Sequence, residues 1–450
     1  MKTSALRMKT FKIGGIHPPD YKLTAQHPIH TTRLPETAVV LLNQHLGALA
    51  QPLVGKGDQV KVGQLIAKAN GFISANIHAP VSGKVVKVEP VADVTGYAQP
   101  AIHIAVEGDE WLESIDRSDD LITTCDLEPK AIVDRIFEAG IVGLGGACFP
   151  THVKLSPPPG KQASCIIVNA VECEPYLTTD HRLLLEKGEE IVVGLCLAMK
   201  ATNAPTGYIG IEANKKDAIL YLQSISKKYP GIQVVPLQMK YPQGGEKQLI
   251  DAITGCRVPS GKLPIDVGAI VLNASTTFAI YEAVQKKKPL IERVLTVTGE
   301  ALTQPGNYRV RIGSPMSMLA EEAGGVPENT AKLVAGGPMM GKALSSLNSP
   351  VTKGSGGLLM LASENAVRKP SRQCIRCGKC ITACPMGLEP HLFMTLAEFE
   401  AWDQLEKAHI MDCIECGCCT FSCPSNRPLL DYLRIGKTTV GRLRKTRQQA

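Results

Sequence analysis

This chain of 450 residues is poor in aromatic residues, which make up 4% of it, and in long apolar runs. No stretch reaches the roughly 18 consecutive apolar residues of a membrane-spanning helix, and the longest covers only residues 191–199. We therefore expect no direct membrane span. Residues 1–9 lack an apolar core of about 7–15 residues, which argues against a secretory signal and predicts a cytoplasmic protein. Eight Phe and two Trp give no basic-aromatic surface for nucleic acid, so we expect no nucleic-acid partner.

Cysteine, by contrast, is abundant and concentrated, with nine of the 15 cysteines between Cys374 and Cys423. They form two copies of the C-x₂-C-x₂-C-x₃-C-P run of bacterial two-cluster ferredoxins, in which the fourth cysteine binds the other cluster. This spacing predicts two [4Fe–4S] clusters. The ligands of one would be Cys374, Cys377, Cys380 and Cys423, and those of the other Cys413, Cys416, Cys419 and Cys384.

Other interpretations of the cysteines are weaker. A zinc ion takes four ligands, typically from two separated cysteine pairs, and fits the doubled run less well. Cys418 has no place in the spacing and receives no role, while the six cysteines before residue 374 are predicted to be buried small hydrophobes. Each four-thiolate cluster adds a net charge of about −2. The formal charge of +7 would then fall close to neutral.

Four blocks of sequence pattern divide the chain. Residues 16–106 show short alternating apolar stretches between Gly and Pro turns, which predicts a small β-barrel or sandwich. In residues 128–288, apolar strands at 165–168, 208–211 and 269–272 alternate with helical patterns, which indicates an α/β layer. Residues 293–361 combine strands at 294–298 and 308–312 with a helix at 316–323, and these fit a compact β-grasp-like module.

The last block, residues 369–433, places the cysteine runs on either side of one predicted amphipathic helix. Its apolar side would carry Leu392, Leu396, Phe399 and Leu405. The tail beyond it is basic, and we interpret it as a solvated, frayed end. Docking of this tail to an acidic partner or to anionic lipid is the alternative.

A glycine-rich turn follows the predicted helix that ends at Gly140. It reads Gly-Leu-Gly-Gly-Ala-Cys-Phe-Pro-Thr over residues 143–151, and Lys154 comes soon after. The absence of Cβ atoms at Gly143, Gly145 and Gly146 lets backbone amides approach a planar ring or a phosphate. A purely structural turn is the alternative, and the pattern is not the G-x-G-x-x-G of an ordinary Rossmann site.

Acidic and amide residues follow the next strand, in Asn169-Ala-Val-Glu172-Cys-Glu174-Pro. This is the carboxyl end of a strand, where α/β sheets bind their ligands, and carboxylates there accept hydrogen bonds from ribose hydroxyls. The same residues would also suit a solvated loop. The segment therefore adds a second indication of a nucleotide-type ligand.

Together these two segments resemble the FMN and NADH site of the flavoprotein subunit of respiratory complex I, and residues 14–428 as a whole resemble the RnfC family of the Rnf electron-transport complex. The resemblance implies roles for eleven residues. Those matching FMN-binding positions are Gly143, Gly145, Gly146, Lys154, Asn169, Glu172 and Asn273; those matching the NADH side are Phe149, Glu174, Gly244 and Glu246. Val171 stands where complex I has Asp, and the segment after Asn273 lacks a Glu of the complex I version. Both departures fit the Rnf branch.

The first block also resembles a known module, the lipoyl/biotinyl half-barrel. Phe72 stands where a carrier Lys would be modified, so we expect a scaffold and docking surface in place of a swinging arm. The third block resembles the soluble-ligand-binding β-grasp (SLBB) domain. The predicted fold is thus multidomain α/β plus β, with a lipoyl-like barrel-sandwich at 1–115, a Rossmann-like FMN/NAD(H) domain at 128–290, an SLBB domain at 291–362, a two-cluster ferredoxin-like helical domain at 363–435 and a basic tail at 436–450.

The resemblance implies a peripheral redox subunit on the cytoplasmic side of the inner membrane. Its noncovalent FMN would exchange electrons with NAD(H), and its two clusters would pass them to the membrane and ferredoxin-like subunits of an ion-pumping ferredoxin:NAD oxidoreductase. Two alternatives stand beside it. A soluble cobalamin reductase begins at the flavin motif, without the preceding barrel, and a ferredoxin-like scaffold would bind no flavin. The sequence leaves open the pumped ion and the direction of electron flow.

Overall fold

The computed structural model describes residues 8–449, and residues 1–7, part of the segment in which we expect no signal, lie outside that range. The first strand, β1 (Ile29–Thr31), joins a distant sheet described below. Two small sheets follow, with the strand orders β2-β8-β7-β4 and β3-β5-β6. Their strands are β2 (Thr37–Leu41), β3 (Gln51–Pro52), β4 (Gln59–Val60), β5 (Leu65–Lys68), β6 (Ile77–His78), β7 (Gly83–Ala92) and β8 (Ala98–Val106).

The two sheets pack face to face because apolar residues alternate along their strands. Val40, Ile66, Ile102 and Ile104 are fully buried between them. The predicted barrel or sandwich is confirmed. Phe72, at the position of the absent carrier Lys, is 70% exposed in a bend between β5 and β6.

The second block is a parallel sheet covered by helices, with the strand order β11-β10-β9-β12. Its strands are β9 (Cys165–Ala170), β10 (Thr206–Glu212), β11 (Ile232–Leu237) and β12 (Ala269–Asn273). Its helices are α1 (Pro129–Glu138), α2 (Thr151–Lys154), α3 (Thr179–Glu186), α4 (Gly188–Thr202), α5 (Lys216–Ile225), α6 (Glu246–Thr254) and α7 (Ala274–Gln285), with short 3₁₀ turns at Ser226–Lys228 and Pro264–Val267. Both faces of β9 are buried, and Ile166, Ile167 and Val168 are fully enclosed. The predicted α/β layer is confirmed.

The third block is a six-stranded mixed sheet with the order β1-β14-β13-β17-β15-β16. It contains β13 (Glu292–Thr298), β14 (Gly306–Arg311), β15 (Thr330–Ala335), β16 (Lys342–Ala343) and β17 (Gly357–Ala362), with α8 (Met316–Glu322) against it and α9 (Ser363–Ala366) after it. Both predicted strands and the predicted helix are present. Strand β1 adds to its edge, because Ile29 pairs in parallel register with Asn307.

The last block is helical, with α10 (Lys379–Ala383), α11 (Pro390–Glu398), α12 (Trp402–Lys407), a 3₁₀ turn at Ile410–Asp412, α13 (Cys418–Phe421) and α14 (Leu429–Gln449). The single helix predicted between the cysteine runs is wrong, because Glu400 adopts φ 53° and separates α11 from α12. Phe399, placed on the apolar side, is 80% exposed. Phe393 and Met394 are buried in its stead.

The carboxyl-terminal segment also differs from the frayed end that we expected. Helix α14 continues to Gln449, and Val440 on it is fully buried. Arg444 and Arg447 both pair with Glu406 on α12, at 2.6 and 2.5 Å. These two arginines thus hold the helix against its neighbour. In the described range, none of the helices has the length and apolar character needed to cross a membrane.

Candidate functional site

The glycine-rich turn is a closed loop between α1 and α2. The amide of Gly143 donates to the Phe149 carbonyl at 2.8 Å, and the amide of Cys148 donates back to Gly143 at 3.0 Å. At its exposed tip, the backbone amides at positions 145, 146 and 147 donate to no acceptor within the described chain. Gly146 has φ 107°, a conformation that favours glycine. Three successive unpaired amides fit the binding of a phosphate or a ring edge.

Side chains from α7 and β13 hold this turn in place through hydrogen bonds to Leu144. The amide of Leu144 donates to Thr276 Oγ1 on α7 at 2.8 Å. Both terminal nitrogens of Arg293, on β13, donate to the Leu144 carbonyl at 3.2 Å. Arg293 is buried, and burial lowers its pKa. Sequence reasoning missed Arg293, because it lies 149 residues from the turn and outside any motif.

Asn273, the last residue of β12, pairs with Asn169, the penultimate residue of the adjacent parallel strand β9, so both lie at the same edge of the sheet. Asn169 Nδ2 donates to the Gly244 carbonyl at 2.8 Å. Asn273 Oδ1 accepts from the amide of Ser275 at 2.9 Å and begins α7. The added Cβ of any residue larger than glycine at position 145 would lie 3.3 Å from Asn273 Cβ. The turn and the sheet edge are therefore in contact.

Glu172 and Glu174 lie beside this edge, but both carboxylates accept hydrogen bonds from the protein itself. Glu172, at φ 48°, accepts from the amides of Asp180 at 2.7 Å and His181 at 3.2 Å, at the start of α3. Burial raises its pKa. Glu174 accepts from the amides of Met339 at 3.1 Å and Met340 at 2.7 Å, in the third block.

Burial raises the pKa of Glu174 to about 7, although those two amides act in the opposite direction. Its carboxylate therefore joins the α/β domain to the turn before β16. The ribose contact inferred for it from the resemblance remains a prediction.

The remaining predicted residues lie at the same edge. Lys154 Nζ forms an ion pair with Glu246 Oε1 at 2.6 Å and also donates to the Val271 carbonyl at 3.0 Å. The amide of Gly244 donates to Cys173 Sγ at 3.4 Å. Phe149 closes the glycine turn and is partly buried. The structure thus brings the predicted flavin and nicotinamide residues around the ends of β9 and β12.

Two lysines that sequence reasoning missed, the buried Lys215 and the partly buried Lys22, bind the loop that carries Glu172 and Glu174, here called the acidic loop. Lys22 Nζ donates to the carbonyls of Glu172, Glu174 and Leu177 at 2.8, 2.8 and 2.6 Å. Burial lowers the pKa of Lys22 to about 8. Lys215 Nζ donates to the Val171 carbonyl at 2.7 Å. Neither lysine belongs to a recognisable motif, so the sequence carries no signal for them.

One cysteine set converges on a pocket in the helical domain. Its lining includes Cys384, Cys413, Cys416 and Cys419, the four predicted ligands of one cluster, together with apolar side chains such as Phe393. No three His, Cys, Asp or Glu side chains in residues 8–449 are spaced to hold a single metal ion. A cubane is bound by one thiolate at each of four irons, so its ligands stand farther apart than those of one ion. The pocket fits that donor set.

The other set lies at the surface. Cys374 and Cys377 are exposed, whereas Cys380 and Cys423 are partly buried. Burial raises the pKa of Cys380, and the nearby Cys423 adds to the rise. Cys380 and Cys423 both pack against the apolar core of the helical domain, whereas Cys374 and Cys377 lie on the exposed segment that precedes α10.

A buried tyrosine connects the loop that carries Gly244 and Glu246 to the cysteine pocket. Tyr241, three residues before Gly244, donates from its hydroxyl to the Cys416 carbonyl at 2.8 Å. Gln248 Nε2 donates to the Pro385 carbonyl at 3.2 Å on the same side of the pocket. Cys418, for which the spacing gave no role, is fully buried, and its thiol lies 3.9 Å from the Tyr241 carbonyl. It packs in the contact between the two domains.

The amino-terminal segment closes this contact. The amide of Gly15 donates to the Ala383 carbonyl at 3.0 Å, and Ile16 pairs with Tyr241 in an antiparallel bridge. A Cβ at Gly14 would lie 2.3 Å from the Cys384 carbonyl oxygen, so only glycine fits there. Close packing against the backbone of the pocket residue Cys384 thus accounts for the glycine at position 14.

Comparison with known families matches each block in turn. Residues 9–109 match the RnfC barrel sandwich hybrid domain, residues 136–282 the Nuo51 FMN-binding domain, residues 294–343 the SLBB domain and residues 373–428 a 4Fe-4S dicluster domain. The predicted FMN-binding and two-cluster domains are confirmed by these matches.

Among relatives, the RnfC protein of the proton-translocating ferredoxin:NAD(+) oxidoreductase complex of Clostridium ljungdahlii is 45% identical over 96% of this chain and 94% of its own length. The chain belongs to the RnfC family. The RnfC protein of the Na(+)-translocating complex of Acetobacterium woodii is 44% identical over 96% of this chain and 97% of its own length.

A third relative is longer than this chain. The RnfC protein of the ion-translocating oxidoreductase complex of Yersinia enterocolitica is 40% identical over 97% of this chain, which spans 63% of that relative. Among solved structures, an NAD+-reducing [NiFe]-hydrogenase in the air-oxidized state matches at 19% identity, with a TM-score of 0.49, over 70% of this chain and 63% of the hydrogenase chain.

Proposed function

We propose that this member of the RnfC family is the peripheral redox subunit of a membrane-bound, ion-translocating ferredoxin:NAD oxidoreductase complex. It exchanges electrons with NAD(H) through FMN and relays them through two [4Fe–4S] clusters to the membrane subunits. Its partners are the membrane and ferredoxin-like subunits, and its place is the cytoplasmic face of the inner membrane. Identity of 45% and 44% over nearly the full length of two RnfC proteins supports this assignment.

The residues at the sheet edge are assigned to FMN and NAD(H). The unpaired amides at positions 145–147 would hold the flavin, with Asn169, Asn273 and Lys154 around it. When bound, FMN supplies the conversion between two-electron hydride chemistry with NAD(H) and one-electron chemistry with iron–sulfur clusters. The protein contributes position: Arg293 and Thr276 fix the turn, and Lys22 fixes the acidic loop.

The cysteines are assigned by site. Cys384, Cys413, Cys416 and Cys419 would hold one cluster in the pocket, and Cys374, Cys377, Cys380 and Cys423 the other near the surface. The observation that carries the proposal is the Tyr241–Cys416 hydrogen bond, because it joins the loop that carries Gly244 and Glu246 to a pocket lined by four cysteines.

Anaerobic copurification tests the assignment. A tagged full-length chain should contain one FMN and about eight iron atoms, and should copurify with membrane subunits of the complex. A chain with iron but no flavin would be a ferredoxin-like relay. A flavin- and iron-loaded chain that never associates with membrane subunits would be a soluble reductase, and either result would reject the proposal.

A further inference from the structure

The exposed cysteine segment is strongly cationic. Residues 367–377 are exposed throughout, and from residue 365 to residue 388 there is no Asp or Glu. Five cations lie in this stretch, and we call them the cationic rim: Arg368, Lys369, Arg372, Arg376 and Lys379. Arg368 pairs with Asp431 at 2.5 Å. The other four make no ion pair within the described part of the chain, so their charge is directed to solvent.

The rim surrounds Cys374 and Cys377, both exposed. A cluster with four thiolates contributes about −2, so the four unpaired cations leave this surface positive even when the cluster is bound. Ile375, between the two cysteines, is 68% exposed, and Val367 is 73% exposed. A charged border around exposed apolar side chains is typical of a protein-docking surface.

The second cysteine site has the opposite environment. Its pocket contacts Tyr241 and Gln248, both buried, and the partly buried segment Gly14–Gly15. The two predicted cluster sites therefore differ in their exposure. The pocket site faces the α/β domain, and the site with Cys374 and Cys377 faces solvent. Electrons can leave or enter the protein most directly at the exposed site.

We propose that the cationic rim docks an acidic protein carrying a one-electron redox centre, and that electrons cross the protein boundary there. This inference rests on the proposed function, because it needs a cluster at Cys374 and Cys377. In each transfer the thiolate-bound iron of this chain loses or gains one electron and the partner's centre gains or loses it. No proton or chemical group moves.

Two other anionic ligands fit less well. A nucleic acid would need aromatic stacking surfaces, and residues 365–388 contain no Phe, Tyr or Trp. An anionic bilayer would pair with the rim but would offer no electron acceptor to the exposed cysteines. An acidic redox protein would use both the positive charge of the rim and the exposed cysteines. Complementary charge raises the rate of such encounters by roughly 10- to 1,000-fold at low salt.

The test uses the full-length, cofactor-loaded chain and an acidic bacterial [4Fe–4S] ferredoxin as the probe. Binding is measured by surface plasmon resonance with both proteins oxidised, at about 20 and about 300 mM salt. The rim variant is Arg372→Glu with Arg376→Glu. The matched control is Lys56→Glu with Lys84→Glu, two exposed cations of the barrel domain that change net charge equally. A third variant, Arg372→Gln with Arg376→Gln, removes the two charges without reversing them and so is less prone to misfold. Iron content is measured for all four proteins.

The rim variant should associate at least about tenfold more slowly than the wild type at low salt, the Gln pair should be intermediate, and the control should keep most of its rate. High salt should slow the wild type toward the rim variant. Equal association of all four proteins would overturn the proposal. So would unchanged ferredoxin binding combined with lost binding to vesicles of anionic phospholipid, because the rim would then contact membrane.

Failure of the proposed function would be recognised separately. NADH should reduce the clusters of the rim variant as it reduces those of the wild type, seen by EPR. If NADH reduces neither protein, the redox assignment fails, while the binding comparison still decides whether the rim attracts an acidic protein.

Discussion

Replacing Tyr241 by Phe should loosen the cysteine pocket, since it removes one buried hydroxyl and keeps the ring. The hydroxyl donates to the Cys416 carbonyl at 2.8 Å, and Tyr241 is only 2% exposed. Leaving a buried acceptor without its donor costs about 1–3 kcal/mol. At about 1.4 kcal/mol per factor of ten, the opened state of the pocket should become roughly 5- to 150-fold more populated.

Iron release to an excess of chelator reports that population, provided that the pocket opens and closes faster than iron is captured. The loaded Tyr241→Phe protein should therefore lose its iron–sulfur absorbance faster by the same factor. The matched control is Tyr308→Phe, because Tyr308 is also buried and donates to the Gln304 carbonyl at 2.8 Å, but in the β-grasp domain. Equal release from Tyr241→Phe and wild type, or equal acceleration by Tyr308→Phe, would refute the reasoning.

Three further outcomes are expected. Cys384→Ser should lower iron content by disrupting the pocket cluster, whereas Cys418→Ser should keep the iron of both clusters, and iron analysis compares them. Arg293→Met should release FMN, because it removes both donors to the Leu144 carbonyl; retained flavin fluorescence after gel filtration would contradict this. The Glu174 pKa is raised from 4.5 to about 7, so its stabilising contribution is complete below pH 4.5 and is lost as pH rises through about 7. The urea midpoint of the wild type should therefore fall relative to that of Glu174→Gln as the pH rises from 5.5 to 8. A difference between the two midpoints that stays constant over this range would exclude the linkage.

Much of the fold follows from periodicity in the sequence. Strands β9, β10 and β12 were predictable because a strand buried on both faces is a continuous apolar run. Strand β11 was not, since it is an edge strand with Pro236 and the exposed Gln233. The break between α11 and α12 was missed because it depends on the positive φ of Glu400, and glutamate seldom adopts that conformation.

The site divides in the same way. The glycine turn, Asn169 and Asn273 were found through their motifs, and the structure brings them together. Lys22 was missed because it reaches carbonyls 150 or more residues away, and local pattern carries no information about such contacts. Glu172 and Glu174 were predicted to contact ligands, yet each is partly buried and accepts two amide hydrogen bonds from the protein, because polar groups withdrawn from water need hydrogen-bond partners.

The central claim is that the glycine turn and the acidic loop hold a flavin in electronic contact with the cysteine pocket behind Tyr241. Anaerobic stopped-flow mixing of the loaded chain with NADH, followed by freeze-quench EPR, tests it most directly. Bleaching of the flavin band should come first, and the signals of reduced [4Fe–4S] clusters should follow within the same turnover. Flavin bleaching without any cluster signal, or no bleaching at all, would contradict the claim.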